Sequence, residues 1–382
     1  MEKILVVHNR YNILGGEDIA VVKELDLLKE LYKVETLYFD NRITNYLTQF
    51  FYFLTNNNHQ SNRILKQKIE KFKPDHIYLH NTWFKASLGI FKIIKKYDIN
   101  LIIKLHNFRY FCTKSFFSKN HLIENENCKA CGMSKSTEVF NKYFKESIVK
   151  SILVAIYGRK YFKIIKNNKF KLIVLTNFHK NFLNNLGFNV KNVEVIPNYL
   201  SIPPIEKKMN KDDYIVYAGR ISHEKGVEEL INSFLKSKLN KINLKIIGEG
   251  PEFNFLANKY KSENVNFLGP LQNEEVWNEI LNSRAVVTAT KLFEGQPTFL
   301  CEASLLAVPA IFPNTGGINE FFPDNYPLSF EQFNYEDLIS KINQVLDVEE
   351  MNQIGKENKK YIYEYLSKIK LASLFKDALH GK

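Results

Sequence analysis

Short, nearly continuous apolar segments recur along the chain and alternate with stretches of helical periodicity. The apolar segments occupy residues 4–7, 76–79, 101–105, 172–175, 193–196, 214–217, 244–247, 265–268, 285–289 and 308–311. Apolar runs of this length are typical of strands that are buried on both faces. Between them, apolar residues at helical spacing, such as Val227, Leu230 and Phe234, predict amphipathic helices. The alternation predicts an α/β protein with parallel sheets that carry helices on both faces.

A polar, proline-containing stretch interrupts this alternation once, and we place an interdomain linker there, at residues 198–212. Because 382 residues exceed what one hydrophobic core usually organises, we expect two doubly wound domains, at 1–197 and 213–355. The remaining residues, 356–382, are predicted to form a C-terminal helix with a break near Ser367.

Composition excludes several classes of protein. A chain that is 45% hydrophobic and 14% aromatic, with 16 Gly and 11 Pro, is neither disordered nor collagen-like. No run approaches the roughly 18 consecutive apolar residues of a membrane-spanning helix. The N-terminal residues show no basic leader or small-residue cleavage site, and four cysteines are too few for a disulfide scaffold. We therefore expect a cytoplasmic protein.

The net charge of +12 is distributed unevenly along the chain. Residues 1–200 carry 32 Lys and Arg against 16 Asp and Glu, a balance of +16. Residues 201–382 carry 21 against 25, a balance of −4. A basic half attracts an anionic partner, which leaves nucleic acid, anionic lipid head groups and a phosphorylated substrate open.

The residues that follow the predicted strands are chemically informative, because ligands bind there in an open parallel sheet. Gly15 and Gly16 lie between the first strand and a helix, where glycines allow close backbone approach to a phosphate. Arg220 and Lys225 follow the strand at 214–217, and two cations there can clamp a diphosphate. Each pair alone also fits an ordinary turn.

Two carboxylates follow the strand at 285–289. If Pro297 opens a helix, Glu294 lies in the preceding loop and Glu302 on the second turn, so both can face one cleft. Carboxylates placed in this way accept hydrogen bonds from vicinal hydroxyls, as on a sugar ring or a ribose. A carboxylate on an otherwise apolar helix face also needs a partner, which favours a functional role for Glu302.

A series of short motifs covers nearly the whole chain. The motifs are H-N-R-Y-x-x-x-G-G-E-D at 8–18, L-H-N-F-R at 105–109, V-I-P-N at 195–198, A-G-R-x-x-x-E-K-G at 218–226, I-I-G-E-G-P at 246–251, F-L-G at 267–269, E-x(7)-E at 294–302 and G-G-x-x-E at 316–320. In this order and spacing they resemble the retaining glycosyltransferases of family 4, within the glycosyl transferases group 1. The resemblance implies the GT-B fold, which has two facing Rossmann-like domains and a C-terminal helix that returns to the first domain.

The resemblance also implies roles for the residues around the phosphates. Arg220 and Lys225 would bind the diphosphate of a nucleotide-sugar donor and stabilise the charge that builds on it as the glycosidic bond breaks. Gly15 and Gly16 would bring backbone N–H groups to the same phosphates.

Three further residues receive roles by the same resemblance. Glu302 would hold the ribose, Glu294 would bind hydroxyls of the transferred sugar, and His106 would lie beside the reacting sugar. The implied catalytic set is His106, Glu294, Arg220 and Lys225. The resemblance implies no cofactor and no metal, and the absence of a D-x-D motif is consistent with metal-independent chemistry.

The implied function is transfer of a sugar to a glycan or lipid-diphosphate-linked acceptor in bacterial capsule, lipopolysaccharide or exopolysaccharide biosynthesis. A sugar-nucleotide epimerase of the same fold is an alternative, although the carboxylate pair and the two cations favour transfer. A nucleic-acid-binding protein that uses the basic half is a weaker alternative, because no zinc-finger or basic-aromatic sheet motif accompanies the charge. We expect no nucleic-acid partner.

Two stretches leave their own questions open. Cys112, Cys128 and Cys131 have a spacing that fits a structural zinc site or simply a loop. Residues 141–180 hold ten Lys and Arg and one Asp or Glu, with interleaved aromatic residues. This pattern fits a helix that docks on an anionic membrane, or an ordinary helix with lysines facing water. The first interpretation predicts a peripheral protein on the inner face of the plasma membrane.

Overall fold

The computed structural model of the protein describes residues 1–10, 16–42, 45–108, 147–167, 170–201, 212–261 and 264–380. These residues divide into two compact units. The first contains the described residues of 1–199 together with 368–380, and the second contains those of 200–367.

The first unit is built on a six-stranded parallel sheet. Its strands are β1 (Lys3–Arg10), β2 (Lys33–Asp40), β3 (His76–Asn81), β4 (Asn100–Leu105), β5 (Lys171–Val174) and β6 (Val193–Val195). The helices that connect them are α1 (Gly16–Leu31), α2 (Tyr46–Thr55), α3 (His59–Phe72), α4 (Gly89–Lys96), α5 (Ile148–Asn167) and α6 (Asn177–Asn185). The strand order is β2-β1-β3-β4-β5-β6, so the direction of winding reverses between β1 and β3. Every residue of β3 is buried, as expected for a central parallel strand.

The second unit repeats this architecture. Its strands are β7 (Tyr214–Ala218), β8 (Asn243–Ile247), β9 (Val265–Gly269), β10 (Ala285–Val287), β11 (Ala310–Asn314) and β12 (Ser329–Glu331). Its helices are α7 (Val227–Lys236), α8 (Phe253–Lys259), α9 (Asn273–Asn282), α10 (Thr298–Leu305), α11 (Tyr335–Gln344) and α12 (Val348–Tyr365). The strand order is β12-β11-β10-β7-β8-β9, and the winding reverses between β7 and β10. The predicted α/β class with parallel sheets is confirmed.

The C-terminal helix returns to the first unit. This helix, α13 (Lys368–His380), buries Leu371 and Phe375 in one apolar cluster with Ile4 and Val6 of β1. Its first residue, Lys368, forms a 2.6 Å ion pair with Glu30 of α1.

The break in the terminal helices lies at residues 366–367, close to the break predicted near Ser367. The second unit extends to this break, beyond the boundary at 356 that the sequence indicated. The reason is that α12 buries Ile362 in the core of the second unit. At Gly355 a Cβ atom would lie only 2.2 Å from the carbonyl oxygen of Ala307, so the helix packs closely there.

Most of the predicted linker, residues 202–211, lies outside the described residues. At its start, Asn198 is buried, and the division between the units falls between Tyr199 and Leu200.

Candidate functional site

In the second unit, predicted site residues lie where the winding of the sheet reverses, beyond the carboxyl ends of β7 and β10. Arg220 follows β7 and is exposed, and its guanidinium forms no hydrogen bond or ion pair with any residue the structure describes. Lys225 ends a short 3-10 turn, and its Nζ lies 2.6 Å from Oε1 of Glu294, which follows β10. Both side chains are partly exposed, at 29% and 22%. The structure thus brings together a cation and a carboxylate that are 69 residues apart in the sequence.

Glu294 is fixed by contacts on both its side chain and its backbone. The hydroxyl of Thr290 donates to Oε1 at 3.0 Å, and the N–H of Gly317 donates to the backbone carbonyl at 2.9 Å. Gly316 packs on the same backbone, since a Cβ there would lie 2.3 Å from the carbonyl oxygen of Glu294. The loop after β11 therefore supports the loop that carries the carboxylate.

Glycines bring the loops after β7 and β8 into direct backbone contact. A Cβ at Gly248 would lie 2.0 Å from the carbonyl oxygen of Gly219, and one at Gly250 would lie 2.1 Å from that of Ile221. The N–H of Ile221 donates to the carbonyl of Glu249 at 2.9 Å. This packing explains the glycines of the motif at 246–251 and determines the path of the chain on either side of Arg220.

Glu302 lies on the second turn of α10 and is partly exposed, while Leu300, Cys301 and Ala303 beside it are buried. Pro297 is the residue that precedes the first turn of this helix. The helix therefore begins where the sequence indicated, and Glu294 lies in the loop before it.

In the first unit, the structure places His106 directly after β4. Its Nε2 lies 2.9 Å from Nδ1 of His80, near the end of β3, and both residues line a cavity of about 40 Å³. Gly16 is the first residue of α1 and is exposed, with nothing within 4 Å of a Cβ added to it. Gly15 lies outside the described residues.

His106 lies beside a buried polar cluster that was not predicted from the sequence. Lys104 of β4 forms a 2.5 Å ion pair with Oε1 of Glu24 on α1, and neither side chain is more than 1% exposed. The hydroxyl of Tyr78 donates to Oε2 of Glu24 at 3.2 Å. His8 of β1 lies 2.8 Å from Asp18 through Nε2. A lysine within the apolar segment 101–105 was the sequence signal for this cluster.

Burial dominates the ionisation of this cluster. It lowers the pKa values of His80 and His106 well below the ordinary histidine value, and nearby cationic groups act in the same direction. Burial also raises the pKa of Glu24 and lowers that of Lys104, while the attraction between these two opposes both shifts. Both histidines are therefore neutral at pH 7.

Two sequence hypotheses fall partly or wholly outside the described residues. Cys112, Cys128 and Cys131 all lie within the undescribed stretch 109–146. Within the described ranges, no group of three or more His, Cys, Asp or Glu side chains is arranged to hold a metal ion. Of the basic region 141–180, the structure describes 147–167 and 170–180, which include α5. No helix in the described part of the chain is long and apolar enough to cross a membrane.

Two six-stranded, doubly wound parallel units are the architecture of GT-B glycosyltransferases, and solved structures of that class match the whole chain. Alr3699/HepE from Anabaena, solved in complex with UDP and glucose, superimposes with a TM-score of 0.70 and 14% identity over 100% of both chains. At this identity the likeness establishes the fold.

The sequence comparisons find similarity to known glycosyltransferases, chiefly in the second unit. Residues 200–361 match the family model described as glycosyl transferases group 1. The amylovoran biosynthesis glycosyltransferase AmsD of Erwinia amylovora is 27% identical over 199 residues, 48% of this chain and 54% of AmsD. The O-antigen biosynthesis glycosyltransferase WbnH of Escherichia coli is 28% identical over 149 residues, 38% of this chain and 42% of WbnH. The alignments thus span about half of these relatives.

Proposed function

We propose that this protein transfers a sugar from a nucleotide-diphosphate sugar to a glycan or lipid-linked acceptor during the biosynthesis of a bacterial surface polysaccharide. The observation that carries the proposal is the Lys225–Glu294 pair with Arg220 exposed on the neighbouring loop, at the winding reversal of the unit that matches the glycosyl transferases group 1 model. Cations there suit a diphosphate, and a carboxylate suits the hydroxyls of a sugar.

The proposed reaction retains the configuration of the sugar and needs no metal. The bond between the anomeric carbon and the diphosphate oxygen breaks, and a bond to the acceptor oxygen forms on the same face of the ring. The leaving phosphate takes up the acceptor proton. Arg220 and Lys225 stabilise the negative charge that develops on the leaving diphosphate, as preorganised charges do in a transition state. Glu294 binds hydroxyls of the transferred sugar, and Glu302 binds the ribose.

Similar proteins support the choice of substrates. AmsD and WbnH are glycosyltransferases of amylovoran and O-antigen biosynthesis, and Alr3699/HepE binds UDP. We therefore expect a uracil nucleotide to be bound most tightly among UDP, GDP, ADP, dTDP and CMP. A thermal-shift series measures this preference, because a ligand that binds the folded state raises its apparent stability.

Calorimetric titration tests the role of the cations directly. Titrating UDP and uridine separates contacts to the diphosphate from contacts to the nucleoside. Arg220→Ala should weaken UDP binding about tenfold or more, the scale of a lost charge-assisted contact, while leaving uridine binding unchanged. Lys245→Ala is the matched control, because Lys245 is a partly exposed lysine on β8 of the same unit. Equal UDP affinity in the wild type and Arg220→Ala would contradict the role of Arg220.

Product analysis distinguishes transfer from epimerisation. A transferase releases nucleoside diphosphate only when acceptor is present, whereas an epimerase interconverts the nucleotide sugar without one. The proposed mechanism predicts that the anomeric configuration of the donor is kept in the product and that EDTA leaves the rate unchanged. Inverted configuration, or a rate abolished by EDTA and restored by a divalent cation, would refute the corresponding part of the proposal.

We also propose that the first unit docks on an anionic membrane, at a surface formed by α2 and the first half of α5. The α2 sequence contains no charged residue and exposes Leu47, Phe50, Phe51 and Leu54. Four apolar residues of α5 are also exposed: Ile148, Val149, Ile152 and Ile156.

The two helices of this surface pack together through Phe53 and Tyr157, whose rings are 6.1 Å apart. Arg159, Lys160 and Lys163 are exposed farther along α5. Apolar residues beside cations are the combination that binds an anionic lipid surface.

Flotation with vesicles tests this surface. The wild type should float with vesicles that contain anionic lipid and much less with neutral vesicles. Leu47→Ser combined with Phe51→Ser should abolish flotation, whereas Ile369→Ser, at an 86% exposed position on α13, should not. Unchanged flotation of the double variant would contradict the docking proposal. Equal flotation of the wild type with neutral and anionic vesicles would contradict it as well.

A further inference from the structure

Three histidines lie at the carboxyl-terminal ends of adjacent strands of the first unit. They are His8 of β1, His80 of β3 and His106 after β4. His8 and His80 are buried, with ring centroids 6.1 Å apart, and the rings of His80 and His106 stack at 5.2 Å. His106 is partly exposed and lines the cavity. His106, which lines the cavity, therefore packs against the buried His80, and His80 in turn packs against the buried His8.

A single proton lies between His80 and His106. Nδ1 of His80 and Nε2 of His106 are 2.9 Å apart, which is hydrogen-bonding distance. Two neutral imidazoles form this bond only if one nitrogen is protonated and the other is bare. Either His106 donates through Nε2, or His80 donates through Nδ1. In the first arrangement neutral His106 is protonated on Nε2, and in the second it is protonated on Nδ1.

The negative charge of Glu24 favours one of the two arrangements. Its Oε2 lies 3.7 Å from Nε2 of His80. Its two oxygens also accept hydrogen bonds from the Lys104 ammonium and the Tyr78 hydroxyl. A carboxylate with these two donors is an acceptor, so it favours a proton on Nε2 of His80. Nδ1 of His80 is then bare, and the proton of the 2.9 Å bond belongs to Nε2 of His106.

This assignment leaves Nδ1 of His106 with a lone pair. Among the residues that the structure describes, no side chain or backbone group is hydrogen-bonded to that nitrogen, and the residue borders the cavity. Because burial keeps His106 neutral, this nitrogen accepts a hydrogen bond and has no proton to donate.

We propose that His80, oriented by Glu24, is a positioning residue that holds His106 in the Nε2–H tautomer, so that Nδ1 accepts a hydrogen bond from a ligand hydroxyl. On the proposed function, the hydroxyl belongs to the transferred sugar. His106 then orients the sugar as a hydrogen-bond acceptor and does not act as a general acid. The tautomer itself follows from the geometry of the first unit alone.

Nuclear magnetic resonance of protein labelled with ¹⁵N at histidine tests the tautomer without any substrate. Long-range ¹H–¹⁵N correlations separate a protonated ring nitrogen from a bare one, and His106→Gln assigns the signals by their loss. We expect Nε2–H and bare Nδ1 at both His80 and His106 at pH 7. A proton on Nδ1 of His106 would overturn the proposal.

Substitutions of His80 test whether it maintains this state. His80→Asn places an amide oxygen near the position of Nδ1, where it accepts a hydrogen bond from His106. The His106 signals should therefore still report a single tautomer. His80→Phe removes the acceptor and should give exchange between tautomers or a shifted Nε2–H signal. His106 signals that are identical in the wild type and His80→Phe would refute a positioning role. His76→Phe, on the same strand and bonded to Asn100 instead, is the control that should leave them unchanged.

Transfer kinetics test the consequence for the ligand. His80→Phe should lower kcat about tenfold or more, the scale for losing a partner that orients a histidine, with His80→Asn closer to the wild type. His80→Phe should add nothing to His106→Ala, because both act through the same nitrogen. Additive losses would contradict the proposal.

If the expected tautomer is observed but neither variant alters transfer, the positioning of His106 stands and its contact with the sugar is refuted. A protein that shows no transfer at all would refute the proposed function and leave the tautomer result intact.

Discussion

Nζ of Lys225 lies 2.6 Å from Oε1 of Glu294, so the cation after β7 is held by the carboxylate after β10. The pair joins two loops on either side of the winding reversal of the second unit. A partly exposed ion pair contributes only about 0–1 kcal/mol to stability, so removing one partner should change the stability of the fold little.

Lys225→Ala should therefore reduce transfer far more than stability. We expect kcat/KM to fall by about 100-fold or more, as when one preorganised transition-state contact is removed, and the melting temperature to change little. The matched control is Lys245→Ala, because Lys245 and Glu279 form a 2.7 Å pair of similar exposure in the same unit. Steady-state kinetics and thermal melts on both variants make the comparison. Equal activity of the two variants would show that Lys225 has only a structural role.

Gly226 should resist substitution for a backbone reason. It has φ of +67° between the 3-10 turn and α7, and a Cβ there would lie 2.0 Å from the carbonyl oxygen of Ala289. Gly226→Ala should therefore lower the free energy of unfolding by about 1–3 kcal/mol or more, from strain and collision together. Gly16→Ala, which meets nothing within 4 Å, is the control and should be nearly neutral. Denaturant unfolding measures both, and equal midpoints would contradict the prediction.

Apolar periodicity predicted the fold class well because the central strands of both sheets are buried on both faces. Each of the ten predicted segments overlaps a strand. The strands that the pattern missed are β2 and β12. β2 is an edge strand that is mostly only partly buried, and the first half of its sequence KVETLYFD is largely polar, so it contains no apolar run of four residues. β12 has three residues, too few to form a recognisable run.

The candidate site was predictable only where its residues lie in loops after strands. Arg220, Lys225 and Glu294 follow strands, so the predicted strand segments were enough to place them at the carboxyl ends of those strands. Glu24 and Lys104 are 80 residues apart and lie inside a helix and a strand, where periodicity assigns positions to the core without showing which ones meet. Their pairing depends on β4 lying two strands from β1, which is a property of topology.

Acid should destabilise the protein through histidines that are buried in the neutral form. Burial lowers the pKa of His179 to about 3, whereas an unfolded histidine has a pKa of about 6.5. Between these values the unfolded chain binds the proton and the folded chain does not, so the free energy of unfolding falls as pH drops from about 6.5 towards 3. The stability is fully present above pH 6.5.

His179→Leu should reduce this pH dependence, measured as the difference in unfolding free energy between pH 7 and pH 5. Part of the dependence should remain, since burial also lowers the pKa values of His80 and His106. His59→Leu, at an exposed position on α3, is the control. A pH dependence that is the same in His179→Leu and the wild type would show that His179 is protonated equally in both states.

The buried Glu24–Lys104 pair should show a large asymmetry between single and double substitution. Removing one partner leaves the other charge or polar group uncompensated in the core, so Lys104→Met should cost about 3–5 kcal/mol of unfolding free energy. Replacing both partners removes the desolvation penalty of both, so Lys104→Met with Glu24→Leu should be more stable than Lys104→Met alone.

The double variant also removes the carboxylate that faces His80 at 3.7 Å, so it should regain stability without regaining transfer. Lys368→Met, which breaks an exposed pair with Glu30, is the control and should cost less than about 1 kcal/mol. Denaturant unfolding and transfer rates are measured on the wild type, Lys104→Met, the double variant and Lys368→Met. A double variant with wild-type turnover would show that Glu24 contributes only to folding.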